Sequence, residues 1–226
     1  MDALNTAAFL ALNAESHILP DVLWANVTIL GDTLVSLALL SLLAVRYPRV
    51  LAAGLLGGLL AGIVTHTIKP WLVMERPLAV LGEQAQVIGV HLHNFSFPSG
   101  HTTAAFVLAG VSALALQRKG ATVLLFCMAA LVGFSRIAVG AHWPADVLAG
   151  ALIGSGSAWL GWQLAMRWQW SETRRGQRVL TAIFLVFSLL LFWSPTGYPQ
   201  ALGLQIAIAA LATCACLLTL WKSWHP

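Results

Sequence analysis

Long apolar runs separated by short polar turns dominate this chain, and their lengths are those of helices that cross a bilayer. Blocks at 27–45, 50–68, 101–117, 121–139, 146–166, 179–193 and 201–221 each approach the roughly 20 apolar residues such a helix needs. The block at 179–193 is short enough to be tilted or half-buried. None alternates with period two, so helices are expected rather than a barrel, each satisfying its own backbone hydrogen bonds. Residues 4–13 carry apolar side chains at helical spacing over a short length, which predicts a helix lying in the membrane interface. Pro20 and Asp21 then open the element that leads into the first span. The expected fold class is all-α, a polytopic transmembrane helix bundle of six or seven spans with a short N-terminal interfacial helix, forming one membrane domain over residues 1–226.

Alternating these spans across a bilayer sorts the cations. Arg46, Arg49, Arg118, Lys119, Arg167, Arg174, Arg175, Arg178 and Lys222 all fall on one face, which the positive-inside rule makes cytoplasmic. Lys69, Arg76 and Arg136 fall on the other, where that rule gives no reason for them. The same face carries His101, His142 and Asp146. A cluster of ionisable groups where the rest of the chain offers hydrocarbon is the pattern of a functional site.

Composition narrows the classes. With 59% hydrophobic and 9% charged residues the chain does not describe a soluble globule. Its net charge of +4 is not arranged in the long, aromatic-interleaved basic runs of a nucleic-acid surface, so no nucleic-acid partner is expected and lipid phosphate is the more economical anion. Cys127, Cys214 and Cys216 sit in apolar stretches without disulfide or zinc spacing and read as small packing residues. The N-terminal MDALNTAAFLALNAES lacks the cationic region and apolar core of a cleavable signal, so insertion is expected to rely on the internal helices. Nothing in the sequence fixes an oligomeric state.

Three local patterns carry candidate chemistry: Lys69 with Arg76-Pro77, then Pro98-Ser99-Gly100-His101, then Ser135-Arg136 with His142 and Asp146. A phosphate ester carries nearly two negative charges, and its hydrolysis requires cations and donors that also hold the transition state. Lys69, Arg76 and Arg136 supply charge, arginine as a planar fork and lysine as a point charge. Ser99 and Gly100 stand at the mouth of the third span, where unpaired amides and the helix dipole favour an anion, and Gly100 permits close approach of the backbone. Four residues separate His142 from Asp146 at a helix start, so the carboxylate can hold one imidazole nitrogen.

Together the three patterns resemble the three-part signature of the type 2 phosphatidic acid phosphatase superfamily, which also includes bacterial acid phosphatases and vanadium-dependent haloperoxidases. No motif position departs from that signature. The resemblance covers a catalytic core of about residues 50–166, and the ends of the chain match only in being hydrophobic. It implies that His142 attacks phosphorus to give a phosphohistidine, that Asp146 fixes its tautomer, and that His101 protonates the departing oxygen and later activates water. Lys69, Arg76, Ser99, Gly100, Ser135 and Arg136 would bind the phosphate. No cofactor and no metal are expected, because HExxH, CxxC and facial-triad spacings are missing.

The implied substrate is a membrane lipid phosphate or pyrophosphate, reached laterally from the bilayer, because only 20 residues separate Pro77 from Pro98 and leave little material for a cap. Undecaprenyl pyrophosphate is favoured over phosphatidic acid, phosphatidylglycerol phosphate and a lipid A phosphate. The implied address is a bacterial inner membrane with the site facing the periplasm or exterior. A lipid phosphotransferase would use the same residues. An anion transporter would show related halves and helices broken at the midplane, and no repeat is evident. His17, His66, His91, His93 and His225 lack motif context and read as structural or surface residues, with His91 and His93 beside Glu75, Glu83 and Asn94 where a headgroup could rest. Trp71 and Trp143 read as interface anchors, and the glycines of AAGLLGGLLAG and AGALIGSGSAWLG as close-packing positions.

Overall fold

In the computed structural model, which describes residues 3–224, apolar periodicity resolves into ten α-helices among the described residues, and no strands. They are α1 (Ala3–Ser16), α2 (Asp21–Ile29), α3 (Thr33–Ala44), α4 (Arg49–Leu72), the single-turn α5 (Pro77–Leu81), α6 (Gly100–Leu116), α7 (Lys119–Ala138), α8 (Pro144–Arg167), α9 (Arg174–Leu190) and α10 (Leu202–Trp224). His225 lies outside the described residues. By length and apolarity alone, three described stretches can cross a membrane: Arg49–Gln84, Lys119–Ala138 and Pro199–Trp224. A fourth is formed if the bent pair α2 and α3 counts as one span. The other expected spans fall outside these length and apolarity limits, because α6 and α9 have 17 residues each and α8 is diluted by glycine and serine.

The first expected span, 27–45, is broken. Its two halves meet at 63°. Asp32 starts α3 by accepting from the amides of Leu34 and Val35 at 2.9 and 3.2 Å, an ordinary N-cap. Gly31 lies at the bend against the backbone of α6, where a Cβ would come within 2.7 Å of the His101 carbonyl oxygen. The break thus seats the α2–α3 corner on the helix that carries the second motif.

Helix α8 is the centre of the bundle, and its small residues set the spacing. A Cβ on Gly161 would stand 2.5 Å from the amide nitrogen of Gly57 on α4, and one on Gly154 would stand 2.4 Å from the Thr103 carbonyl oxygen on α6. Backbones approach that closely only where side chains are absent. Gly57, Gly150, Gly154 and Gly161 therefore act as close-packing positions, as the spacing of the runs suggested, whereas a Cβ on Gly58, Gly62 or Gly156 would meet nothing within 4 Å. Leu40, Leu51, Val107, Val111, Leu180 and Phe184 fill the core beside this crossing.

The bundle has two unlike ends. At one, Arg49 pairs with Glu172, and Arg178 donates to Ser223 while its guanidinium lies 3.9 Å from the Trp224 ring centroid. At the other, residues 73–99 form a hook tied down by Arg76 N to His93 O (2.8 Å) and Ser96 N to Met74 O (2.8 Å). The expected N-terminal helix is present as α1, and it packs against the rest of the bundle. Asn13 of α1 donates to the carbonyls of Gln86, Ile137 and Ala138 and accepts from the Gln86 amide, so α1 clamps the hook to the end of α7.

Candidate active site

Every sequence-predicted site residue lies at the hooked end. The local sequence explains why each is held there. Lys69 and Arg136 occupy the last turns of α4 and α7, where a cation complements the helix dipole. Asp146 is in the first turn of α8, where an acid does the same, and it reaches back to the Trp143 amide at 2.9 Å.

Asp146 is fully buried, and its Oδ2 is the hub of the site. It accepts from the Ser96 hydroxyl at 2.5 Å and the Trp143 amide at 2.9 Å, and it lies 3.2 Å from His142 Nδ1. A carboxylate accepts only, so the imidazole must present an Nδ1–H to it, which leaves the lone pair on Nε2. That nitrogen lies 3.4 Å from Arg76 Nη1. His142 is itself buried and precedes the helix, because α8 begins at Pro144 rather than at His142. Burial, followed by the positive charges of Arg76, Arg136 and Lys69, holds its pKa well below the ordinary histidine value, so the ring is neutral and its lone pair is available.

The three cations are fixed by neutral acceptors. Lys69 Nζ donates to Phe95 O at 2.6 Å. Arg76 donates from Nε to Asn94 O at 2.9 Å and from Nη1 to Ala141 O at 3.0 Å. Arg136 Nη1 donates to the hydroxyls of Thr28 (2.5 Å) and Tyr198 (2.8 Å). Among the described residues, none of the three has a carboxylate within ion-pair distance. Three charges are thus gathered around one buried Asp–His pair with no carboxylate in direct contact with them, an arrangement that favours an anion.

The second motif is bound to the third through backbone. Ser99 N donates to Asp146 O at 3.1 Å, and Ser99 Oγ accepts from the Thr102 amide at 3.4 Å as the N-cap of α6 and from Thr102 Oγ1 at 2.9 Å. The Ser99 amide is therefore engaged, contrary to the expectation of a free donor there. The amides of Gly100 and His101 remain as the first-turn donors, and a Cβ on Gly100 would meet open space. His101 Nε2 is buried without a hydrogen-bond partner, and His142, Arg136, Arg76 and Lys69 are within electrostatic reach of it. Ser135 is less available than expected, since its hydroxyl donates to Val132 O at 2.6 Å within its own helix.

Trp143 corrects the sequence reading. It is fully buried, its ring stacks edge-on against Phe9 of α1 at 5.2 Å, and its Nε1 donates to Glu75 O. It braces the site rather than anchoring the protein in the interface. Trp71, by contrast, is exposed. Among the described residues no group of three or more His, Cys, Asp and Glu side chains is placed to hold a metal.

Ser96, Thr28 and Tyr198 escaped the sequence reading. Ser96 could have been suspected from its place beside the second motif. Tyr198, in the SPTGYPQ turn, gave no signal at all. Replacing Tyr198 with phenylalanine removes one hydrogen bond to a buried guanidinium, worth roughly 1.5–3 kcal/mol, and should lower kcat/KM on a phosphate ester about 10- to 100-fold. Steady-state kinetics on folded protein would check it, and an unchanged kcat/KM would mean that Tyr198 does not position Arg136.

Known proteins resemble this chain in sequence and fold. The profile of the PAP2 superfamily matches residues 50–170. The crystal structure of Aquifex aeolicus LpxE is similar with a TM-score of 0.66 and 32% identity, covering 72% of this chain and 96% of that one. An undecaprenyl-diphosphatase of Sulfolobus acidocaldarius is 43% identical over 72 residues, 31% of this chain and 34% of the relative. The undecaprenyl-diphosphatase BcrC of Bacillus subtilis is 35% identical over 105 residues, 46% of this chain and 51% of the relative. The chain spans about a third to a half of the length of these curated relatives.

Proposed function

Since the chain belongs to the PAP2 superfamily, whose profile covers more than half of its 226 residues, we propose that it is an integral membrane lipid phosphatase acting through a phosphohistidine. The observation that carries this reading is the set of three cations, none with a carboxylate partner, around the buried His142–Asp146 pair. Lys69, Arg76 and Arg136, with the amides of Gly100 and His101, hold the phosphoryl oxygens. His142 Nε2 attacks phosphorus in line with the ester oxygen. As the P–O bond breaks, its electron pair leaves with the lipid oxygen, which takes a proton from His101. Asp146 stabilises the imidazolium that results, and His101 then removes a proton from the water that cleaves the P–N bond.

The charge that a metal would otherwise neutralise is met by these cations, so the reaction is metal-independent in this reading. One domain carries all of it, with α2–α3 counted as one bent pass and α4, α6, α7, α8, α9 and α10 as six more. The basic end around Arg174 and Arg175 faces the cytoplasm, and the hooked end faces the periplasm or exterior of a bacterial inner membrane. The undecaprenyl-diphosphatase relatives favour undecaprenyl diphosphate as substrate.

The test is phosphate release in detergent, with excess EDTA, from a panel of lipid phosphates. Release that persists in EDTA, highest from the prenyl diphosphate, is the expected result. Loss of release in EDTA with recovery on adding a divalent cation would overturn metal independence. Transfer of the phosphoryl group to an added alcohol without release of phosphate would overturn hydrolysis.

A further inference from the structure

A cavity of about 200 Å³ opens from the site into the membrane-embedded body of the protein, between α3, α4 and α6. Its upper rim holds Lys69 and Gly100, both in the proposed phosphate-binding set, so it is continuous with the site. Its walls are effectively apolar despite several hydroxyls. Ser36 donates to Leu30 O, Thr65 to Ala61 O and Thr103 to Ser99 O, so each proton is turned to the backbone. Gly58 and Gly62 line it as well, and a Cβ at either would meet nothing within 4 Å. These two glycines, unlike Gly57 and Gly161, are not required by helix packing. What their missing side chains leave is open room beside α4.

One ionisable group in this cavity has no structural task. His66 lines it, lies exposed three residues before Lys69, and forms no hydrogen bond or ion pair among the described residues. Three residues on a helix place the two side chains on one face, with His66 about 4.5 Å further along the axis, toward the bilayer centre. An ionisable side chain left open at that depth is costly unless it meets a ligand.

Resting on the phosphatase reading, we infer that His66 binds the phosphate that remains on the lipid, so that the site is built for a lipid diphosphate with a single hydrocarbon chain. In such a substrate the terminal phosphorus faces His142 and the bridging oxygen leaves toward His101. The phosphate that stays with the lipid must then sit between the reacting centre and the tail. That position is the rim of the cavity, beside His66. An imidazole N–H donates to a phosphate oxygen in either protonation state. The tail continues along Gly58 and Gly62. At about 200 Å³ the cavity falls below the roughly 300–1,000 Å³ of clefts that enclose a whole drug-sized ligand, so it takes the first stretch of one chain rather than a diacylglycerol.

The experiment compares farnesyl diphosphate with farnesyl phosphate, which share a tail and differ in the phosphate at issue, on purified full-length protein in detergent. His66→Ala should lower the ratio of kcat/KM values, diphosphate over monophosphate, about tenfold, and His66→Gln, which keeps an N–H donor, should recover part of it. Gly62→Leu should raise KM for both substrates with its thermal midpoint unchanged. An unchanged ratio in His66→Ala, or an unchanged KM in a folded Gly62→Leu, overturns the inference while leaving the phosphatase reading intact. Failure of the wild type to release phosphate from either substrate overturns the phosphatase reading, and this one with it.

Discussion

Replacing His142 with alanine is expected to lower kcat for phosphate release by on the order of 10,000-fold or more, because it removes the atom that forms the new bond to phosphorus. The remaining site would still bind. Lys69 and Arg136 keep their acceptors on Phe95, Thr28 and Tyr198, and Arg76 keeps those on Asn94 and Ala141, so affinity for a lipid phosphate should persist. His142→Gln serves as a second variant that retains volume and polarity in a buried position. Rapid quench with labelled substrate would detect label on the wild-type protein and none on either variant. Near-normal turnover in a folded His142→Ala would exclude it as the nucleophile. The pH profile adds a separate check. Because burial, and then the positive charges of Arg76, Arg136 and Lys69, lower the His142 pKa, the reactive neutral form persists as pH falls below 6.5, and the acid limb of kcat/KM should lie below that value. A limb above it would mean that the free enzyme does not hold His142 as the structure does.

Asp146→Asn should cost on the order of 1,000- to 10,000-fold in kcat while changing little in volume. The carboxylate is an acceptor for three donors at one oxygen, Ser96, Trp143 and the His142 ring. With its oxygen at the Oδ2 position an amide still accepts from Ser96, Trp143 and the His142 Nδ1–H, but the imidazolium formed on attack lacks its counter-charge. In the flipped orientation the NH₂ takes that position, the Trp143 amide loses its acceptor, and the ring must accept at Nδ1 and carry its proton on Nε2, which leaves the lone pair on the wrong nitrogen. The measurement is kcat alongside the thermal midpoint, since Asp146 also caps α8. A variant that folds normally and retains more than about a tenth of wild-type kcat would show that His142 is oriented by other groups.

The two variants bear on different parts of the same geometry, and that geometry was only partly legible in the sequence. The apolar runs placed the helices to within a few residues, because a segment that must hydrogen-bond within itself in lipid has little alternative to a helix. The break at Gly31–Asp32 was not visible as a bend. It exists because α2–α3 must pass over the start of α6, and the contact with the His101 carbonyl is a fact of packing between residues far apart in the chain. Trp143 was misread for a related reason. Its sequence neighbours suggest a helix mouth near the interface, and Phe9, brought by α1 from the N-terminal end of the chain, covers it together with Ala85 and Ile137.

The sequence by itself determined that this is an all-helical, bilayer-adapted chain with unlike ends, and it named His101, His142, Asp146 and the three cations that gather at one of them. Local spacing suffices for that, because helix periodicity and charge placement are properties of neighbours. Tertiary structure decided which atoms are free to act. It assigned the Ser99 amide to Asp146 and Arg136 Nη1 to Thr28 and Tyr198, and it left His101 Nε2 without a partner. Hydrogen-bond partners that lie 50 or 100 residues away are chosen by how helices cross, and in this protein that crossing is set by glycines at positions where any side chain would collide with another backbone.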